Sequence, residues 1–221
     1  MKFGLLLFGG LPGQSMSEVL RDTIEKAEVA KEAGFHAIWT GGGHLGRGIQ
    51  STMLQARLTA HINGLDIGTL YLLPLEQPIL LAEELSTLDM MCGGRLTVAV
   101  AQGWRDFQFN AFGVPVRERL GRFIETLESM KQLWTQDEVH YHGRYIDVDV
   151  DRPIARPVSQ PYPRILVAAN ADIGIKRAAT IADGWLVSTR ATYPTIEGQA
   201  RLYKQALSDT GAEGGIWAWR E

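Results

Sequence analysis

Cysteine is almost missing from this chain: Cys92 is the only one in 221 residues. One thiol excludes a disulfide framework within the chain and any zinc site built on several cysteines. It marks no oxidising compartment, so a cytoplasmic location is the expectation. No run approaches the roughly 18 consecutive apolar residues of a membrane span, so no membrane partner is expected. The apolar stretch Phe3 to Phe8 is short and ends in Gly9-Gly10. A secretory signal needs a longer run and a small-residue cleavage site, so a buried first strand is expected instead. Basic blocks are absent too. With 22 Lys and Arg against 25 Asp and Glu, the formal charge is −3. A nucleic-acid partner is therefore not expected. Neither the phosphate-cradling Walker pattern nor the dinucleotide fingerprint occurs.

What is present is ordinary for a globular protein: 45% apolar and 21% charged residues. The length suits one domain, residues 1–221, and is near that of an α/β barrel. Strand and helix patterns alternate. The strands read as short apolar runs buried on both faces, at Lys2 to Phe8, Ala37 to Thr40, Leu65 to Leu73 and Arg95 to Ala101. Helices are expected from Met16 to Ala33, with a Ser15/Glu18 capping box and Gly34 as the stop, and from Thr52 to His61. Another starts at Pro78, with Leu81, Leu85, Leu88 and Met91 at helical spacing, and ends at Gly93-Gly94. A long helix from Arg117 to Trp134 carries the stripe Leu120, Phe123, Leu127, Met130 and Trp134.

Residues 138–163 break the rhythm, with two short strands around Gly143 and then four prolines, an excursion outside the main sheet. Alternation resumes with a strand Ile165 to Ala169, a helix Ile173 to Ala182, a strand Trp185 to Thr189, a helix Thr195 to Leu207 and a strand Ile216 to Trp219. Such alternation implies a parallel sheet, either open and doubly wound or closed as a (β/α)8 TIM barrel. Seven strands at this spacing favour the barrel. An eighth strand and at least one helix are then missing, so the chain reads as a barrel truncated within its seventh strand.

Several stretches, in order, resemble the bacterial luciferase-like family of flavin-dependent monooxygenases and oxidoreductases. They are Phe3-Gly4-Leu5, Ala33 through Trp39, Ile67-Gly68-Thr69 with Pro74 and Pro78, Leu81 through Asp89, Gly93 through Leu96, Gly103-Trp104, Phe112 through Pro115 and Ala182 through Trp185. The resemblance implies a (β/α)8 barrel of greater length. It implies an oxidoreductase using reduced FMN, supplied by a separate flavin reductase, with O2 and a small organic substrate. A branch of the family uses a deazaflavin coenzyme for hydride transfer, which is the alternative cofactor; a non-catalytic flavin-binding relative is another reading. Relatives often form homodimers.

Barrel sites gather at the C-terminal ends of strands. After strand two, His44 stands where the family carries an acidic-His or His-His pair, and its neighbour here is Gly43. His44 is the catalytic candidate, as a general base or a donor to reduced flavin; a loop-capping role is the bland alternative. After strand three, Thr69 and Leu70 match a region where relatives hold a non-proline cis peptide behind the flavin ring. After strand four, Gln102, Gly103 and Trp104 correspond to a flavin-contacting segment, with Gln102 where some relatives have Arg. Trp104 either walls the pocket or is a buried tryptophan at the rim. Arg119 and Arg122 open the long helix, where relatives often place a cofactor-contacting Arg. After strand five, Ala169, Asn170, Ala171, Asp172 and Ile173 open a helix whose free N–H groups suit the cofactor phosphate, which the family binds at this loop. The alternative there is a simple helix cap by Asn170 or Asp172. His140 and His142 share a strand face but lack a third ligand, and Cys92 has no visible base, so neither metal nor thiol chemistry is expected.

Overall fold

The computed structural model describes residues 3–7, 10, 13–41, 44–46, 48–188 and 191–218. The first half runs β1 (Gly4–Leu7), α1 (Met16–Glu32), β2 (Ala37–Thr40), α2 (Ser51–Thr59), β3 (Asp66–Leu72), α3 (Pro78–Met91), β4 (Leu96–Ala101) and α4 (Asp106–Ala111). There follow α5 (Arg119–Thr135), β5 (Val139–His142), β6 (Asp147–Val150), β7 (Arg164–Ala168), α6 (Asp172–Ile181), β8 (Gly184–Val187), α7 (Tyr193–Thr210) and β9 (Gly215–Ala218). The expected ends Lys2, Phe8, Thr189 and Trp219 lie outside the described residues.

Seven parallel strands form one sheet in the order β1-β2-β3-β4-β7-β8-β9, and β5 and β6 make a separate antiparallel hairpin. No pairing joins β1 to β9 among the described residues, so the curled sheet is an open half-barrel. Its two faces bury different residues, as the period of two requires. Ile38, Ile67, Tyr71, Val98, Val100, Ile165, Val167, Trp185 and Val187 belong to the large core shared with the helices. Trp39, Ala99, Leu166 and Leu186 form an inner cluster, with Leu6, Leu70, Ala168 and Trp217 packed against it. All seven strands thus meet on the concave side. Two glycines make room there: a Cβ on Gly68 would collide with the Trp39 indole, and one on Gly184 with that of Trp217.

Local signals set the helix ends. Ser15 Oγ accepts from the Glu18 N–H at 3.3 Å, and Glu18 accepts from the Ser15 N–H at 2.7 Å, a complete capping box. Pro78 occupies the first turn of α3, where Gln77 accepts the Leu80 N–H at 2.7 Å. Two stripe residues depart from expectation. Met91 is 56% and Leu120 37% exposed, because each lies on a solvent-facing flank rather than under the helix. The short α4 was not anticipated; it lies in the link between β4 and the long helix.

Candidate functional site

The loops after β2, β3, β4 and β7 all leave the C-terminal edge of a parallel sheet, which brings them to one face. His44 and Glu76 meet there. The His44 Nε2 and Glu76 Oε1 atoms are 2.8 Å apart, with side chains 22% and 17% exposed. Glu76 is delivered by a 3-10 turn, Leu73–Leu75, that closes β3 with a Glu76 N–H to Leu73 carbonyl bond of 3.1 Å. Hydrogen bonding to Glu76 raises the His44 pKa above 6.5, burial opposing it and the carboxylate charge adding to it. The carboxylate also selects the tautomer that carries hydrogen on Nε2.

Glu76 is the acidic partner that the sequence reading sought at Gly43, a residue outside the described set. It was missed because it comes from the neighbouring strand. Two contacts from the α4 region hold His44 further. Gln108 Nε2 donates to its carbonyl at 2.6 Å, and the Phe112 ring lies 4.6 Å from the imidazole. The next residue, Leu45, has φ 62. A left-handed conformation costs a non-glycine residue on the order of 1 kcal/mol, and such strain concentrates at functional sites.

The strand-three candidates point to opposite sides. Leu70 packs on the inner cluster, whereas Thr69 is fully buried on an outward-facing position of β3. The expected cis peptide here is corrected: the one cis bond among the described residues is Gln160-Pro161. Trans geometry lets β3 keep its ladder with β4 through Leu70–Ala99, Tyr71–Val100 and Leu72–Ala101.

After β4, Gly103 turns the chain with φ 75, and a Cβ there would sit 3.0 Å from the Phe109 ring. The turn puts Trp104 outside, 67% exposed with the Arg105 guanidinium 5.0 Å from its ring centre. The buried-rim reading of Trp104 is thereby overturned. Gln102 is half-buried beside it. Arg122 is spent on Glu118 at 3.0 Å and on the Tyr145 ring, and Arg119 is exposed.

The loop Ala169 to Ile173 has a defined polarity. The Ala169 carbonyl accepts Trp185 Nε1 at 2.8 Å, and the Asn170 carbonyl accepts Gln199 Nε2 at 2.8 Å. The Ala171 carbonyl is taken by the Gly174 and Ile175 N–H groups. Ala171 is the helix cap and supplies no side-chain cap, so neither Asn170 nor Asp172 fills that role. The N–H groups of Asp172 and Ile173 stay ahead of the first intrahelical bonds at the positive end of α6. A Cβ at Gly174 would come 3.0 Å from the Ala169 Cβ, so glycine lets the loop fold back on the helix. Trp185 closes the 182–185 stretch without any sign there of a contact to this loop, and Gln199 carries no motif, so neither was legible as part of this site.

The histidines of the hairpin pair with their cross-strand neighbours, His140 with Asp149 and His142 with Asp147. Among the described residues no group of three metal-ligating side chains occurs, and no helix is long and apolar enough to cross a membrane.

The chain is similar to several known proteins in sequence and in fold. The FMNH(2)-dependent dimethylsulfone monooxygenase of Pseudomonas putida is 30% identical over 114 residues, 50% of this chain and 31% of that enzyme. The crystal structure of monooxygenase RslO1 from Streptomyces bottropensis superposes with a TM-score of 0.91 at 27% identity, covering 99% of this chain and 70% of that one. An F420-dependent secondary alcohol dehydrogenase shares the fold, with a TM-score of 0.81 at 20% identity over 99% of this chain and 68% of its own. The chain spans about half the length of the curated relatives it matches. The luciferase-like monooxygenase model matches residues 1–216, and the chain belongs to that family.

Proposed function

We propose that this chain carries the flavin-binding face of an oxidoreductase, a monooxygenase that uses reduced FMN and O2 on a small organic substrate. The observation that carries this reading is the loop before α6. Its carbonyls are tied back by Trp185 and Gln199, so backbone donors and the helix dipole are left to a doubly charged group. Ala169, Asn170, Ala171, Asp172 and Ile173 would hold the FMN phosphate. Leu70, Gln102, Gly103 and Trp104 would line the path from there towards His44. Bound reduced flavin, delivered by a separate reductase, would supply the electrons that activate oxygen.

The residues of the chain have their own tasks. Glu76 fixes the His44 ring and favours its charged form, raising its pKa above the ordinary value. With Nε2–H given to Glu76, Nδ1 is the atom that takes up or releases a proton. Trp104, on the rim, offers an apolar cover against water.

Titration of the purified protein with FMN, riboflavin and the deazaflavin coenzyme, followed by fluorescence, tests the reading. FMN is expected to bind at least roughly tenfold more tightly than riboflavin, since only FMN has the anion for α6. Equal affinities would overturn it, and preference for the deazaflavin would transfer the site to the hydride-transfer branch.

A further inference from the structure

Behind His44 lies a recess of about 220 Å³, formed where the start of α2 meets the end of β3. Its charge is the opposite of what the loop before α6 offers. Glu76 and Glu84 bring two carboxylates to its walls, and His44 brings one imidazole. No Lys or Arg lines it among the described residues. Burial pushes the Tyr71 phenol up to about 12, so that hydroxyl adds no charge. An anion placed here meets two carboxylates with a single imidazole to offset them, whereas a cation is attracted.

Hydrogen-bonding capacity has the same bias. Carboxylates only accept, and Glu76 spends just one of its oxygens, Oε1, on His44. Thr52 Oγ1 and the Tyr71 hydroxyl lie 2.8 Å apart and use one hydrogen on each other. Ser51, on the wall, is 7% exposed, and its Oγ has no partner within the protein. A buried hydroxyl is normally satisfied by protein, water or ligand. Met53, Leu70 and Leu72 supply the apolar lining. A metal ion needs several ligands at once, and no group of three metal-ligating side chains occurs among the described residues. The space equals roughly seven waters at about 30 Å³ each, which limits an organic ligand to a short chain.

We propose that the recess is a binding site for a small primary ammonium. The field of the Glu76 and Glu84 carboxylates draws the cation in, the Ser51 hydroxyl accepts one of its hydrogens, and a short alkyl chain lies against Met53, Leu70 and Leu72. Binding makes and breaks no covalent bond. Resting on the proposed function, the ammonium is the polar end of the organic substrate, seated beside His44; the binding itself needs no flavin.

Titration of the flavin-free protein with n-butylammonium, n-butanol and n-butyrate tests the site. The readout is the His44 ring signals of histidine-labelled protein by NMR, assigned by their loss in His44→Gln. Butylammonium stays protonated near neutral pH, as a lysine side chain does. It is expected to shift those signals saturably, with a Kd of roughly millimolar order for so small a ligand. Butanol is expected to bind at least about tenfold more weakly, and butyrate not to bind. Glu84→Gln is expected to weaken butylammonium about tenfold. Ser51→Ala, which breaks no hydrogen bond within the protein, is expected to weaken it roughly fivefold. Butyrate binding as well as butylammonium, no saturable shift, or an affinity unchanged in both variants would overturn the proposal. If Glu84→Gln does not fold, the probe series and Ser51→Ala decide. A protein that binds FMN and not butylammonium overturns this inference alone; one that binds butylammonium and not FMN overturns the proposed function and leaves the ammonium site standing.

Discussion

His44 and Glu76 are 32 residues apart in sequence and 2.8 Å apart across the mouths of two adjacent strands. The pairing has a definite pH signature. A histidine whose folded pKa is raised stabilises the fold fully below its unfolded value, 6.5 here, and loses that contribution as pH rises through the folded value. Glu76→Gln should lower the His44 midpoint. It should also lower the thermal midpoint by about 2–4 °C near pH 6, with the gap closing as the pH rises through the folded value. Calorimetry of both proteins across that range checks the sign; a gap that widens with pH would contradict it.

Gly68 is held to glycine by the Trp39 indole. Gly68→Ala is expected to destabilise by about 1–3 kcal/mol through overpacking. Trp39→Leu in the same chain should return part of that loss, a coupling that urea unfolding of the four proteins of the cycle would measure. Additive effects of the two substitutions would mean that they do not meet.

Phosphate recognition makes a separate prediction. Gln199→Leu leaves the Asn170 carbonyl untethered. We expect FMN affinity to fall about tenfold, while riboflavin affinity stays unchanged, because only the anion reads the loop. Parallel losses for both ligands would place the effect elsewhere.

Much of the frame was legible because its signals are local. The capping box at Ser15 and Glu18, Pro78 at a helix start and the paired glycines before β4 each act within a few residues. The alternation of apolar strands with amphipathic helices acts within one βα unit. The site was legible only in part. His44 and the Ala169–Ile173 loop sit at strand ends, where a parallel sheet gathers its loops. Glu76, Gln108 and Gln199 are ordinary polar residues in sequence, and only strand order brings them to their partners. The outward position of Thr69 follows from the period of two, but only once the face of Leu70 is known. Met91 and Leu120 fitted helical spacing, which places a residue on a stripe but not on its buried side.

The hairpin depends on one carboxylate. Glu125, on α5, accepts the N–H groups of Arg144, Tyr145 and Ile146 at 3.2, 2.7 and 2.9 Å. Glu125→Gln gives up the charge on that acceptor and is expected to destabilise by about 1–3 kcal/mol. Faster amide exchange at Tyr145 and Ile146, with β7 and β8 unaltered, would show that the opening is local.

The contacts of α4 couple two strand ends mechanically. Gln108 grips the backbone of the histidine while Phe112 leans on its ring, so the imidazole hangs from a helix that belongs to the segment after β4. Any displacement of Gln108 or Phe112 therefore bears directly on where the His44 imidazole sits.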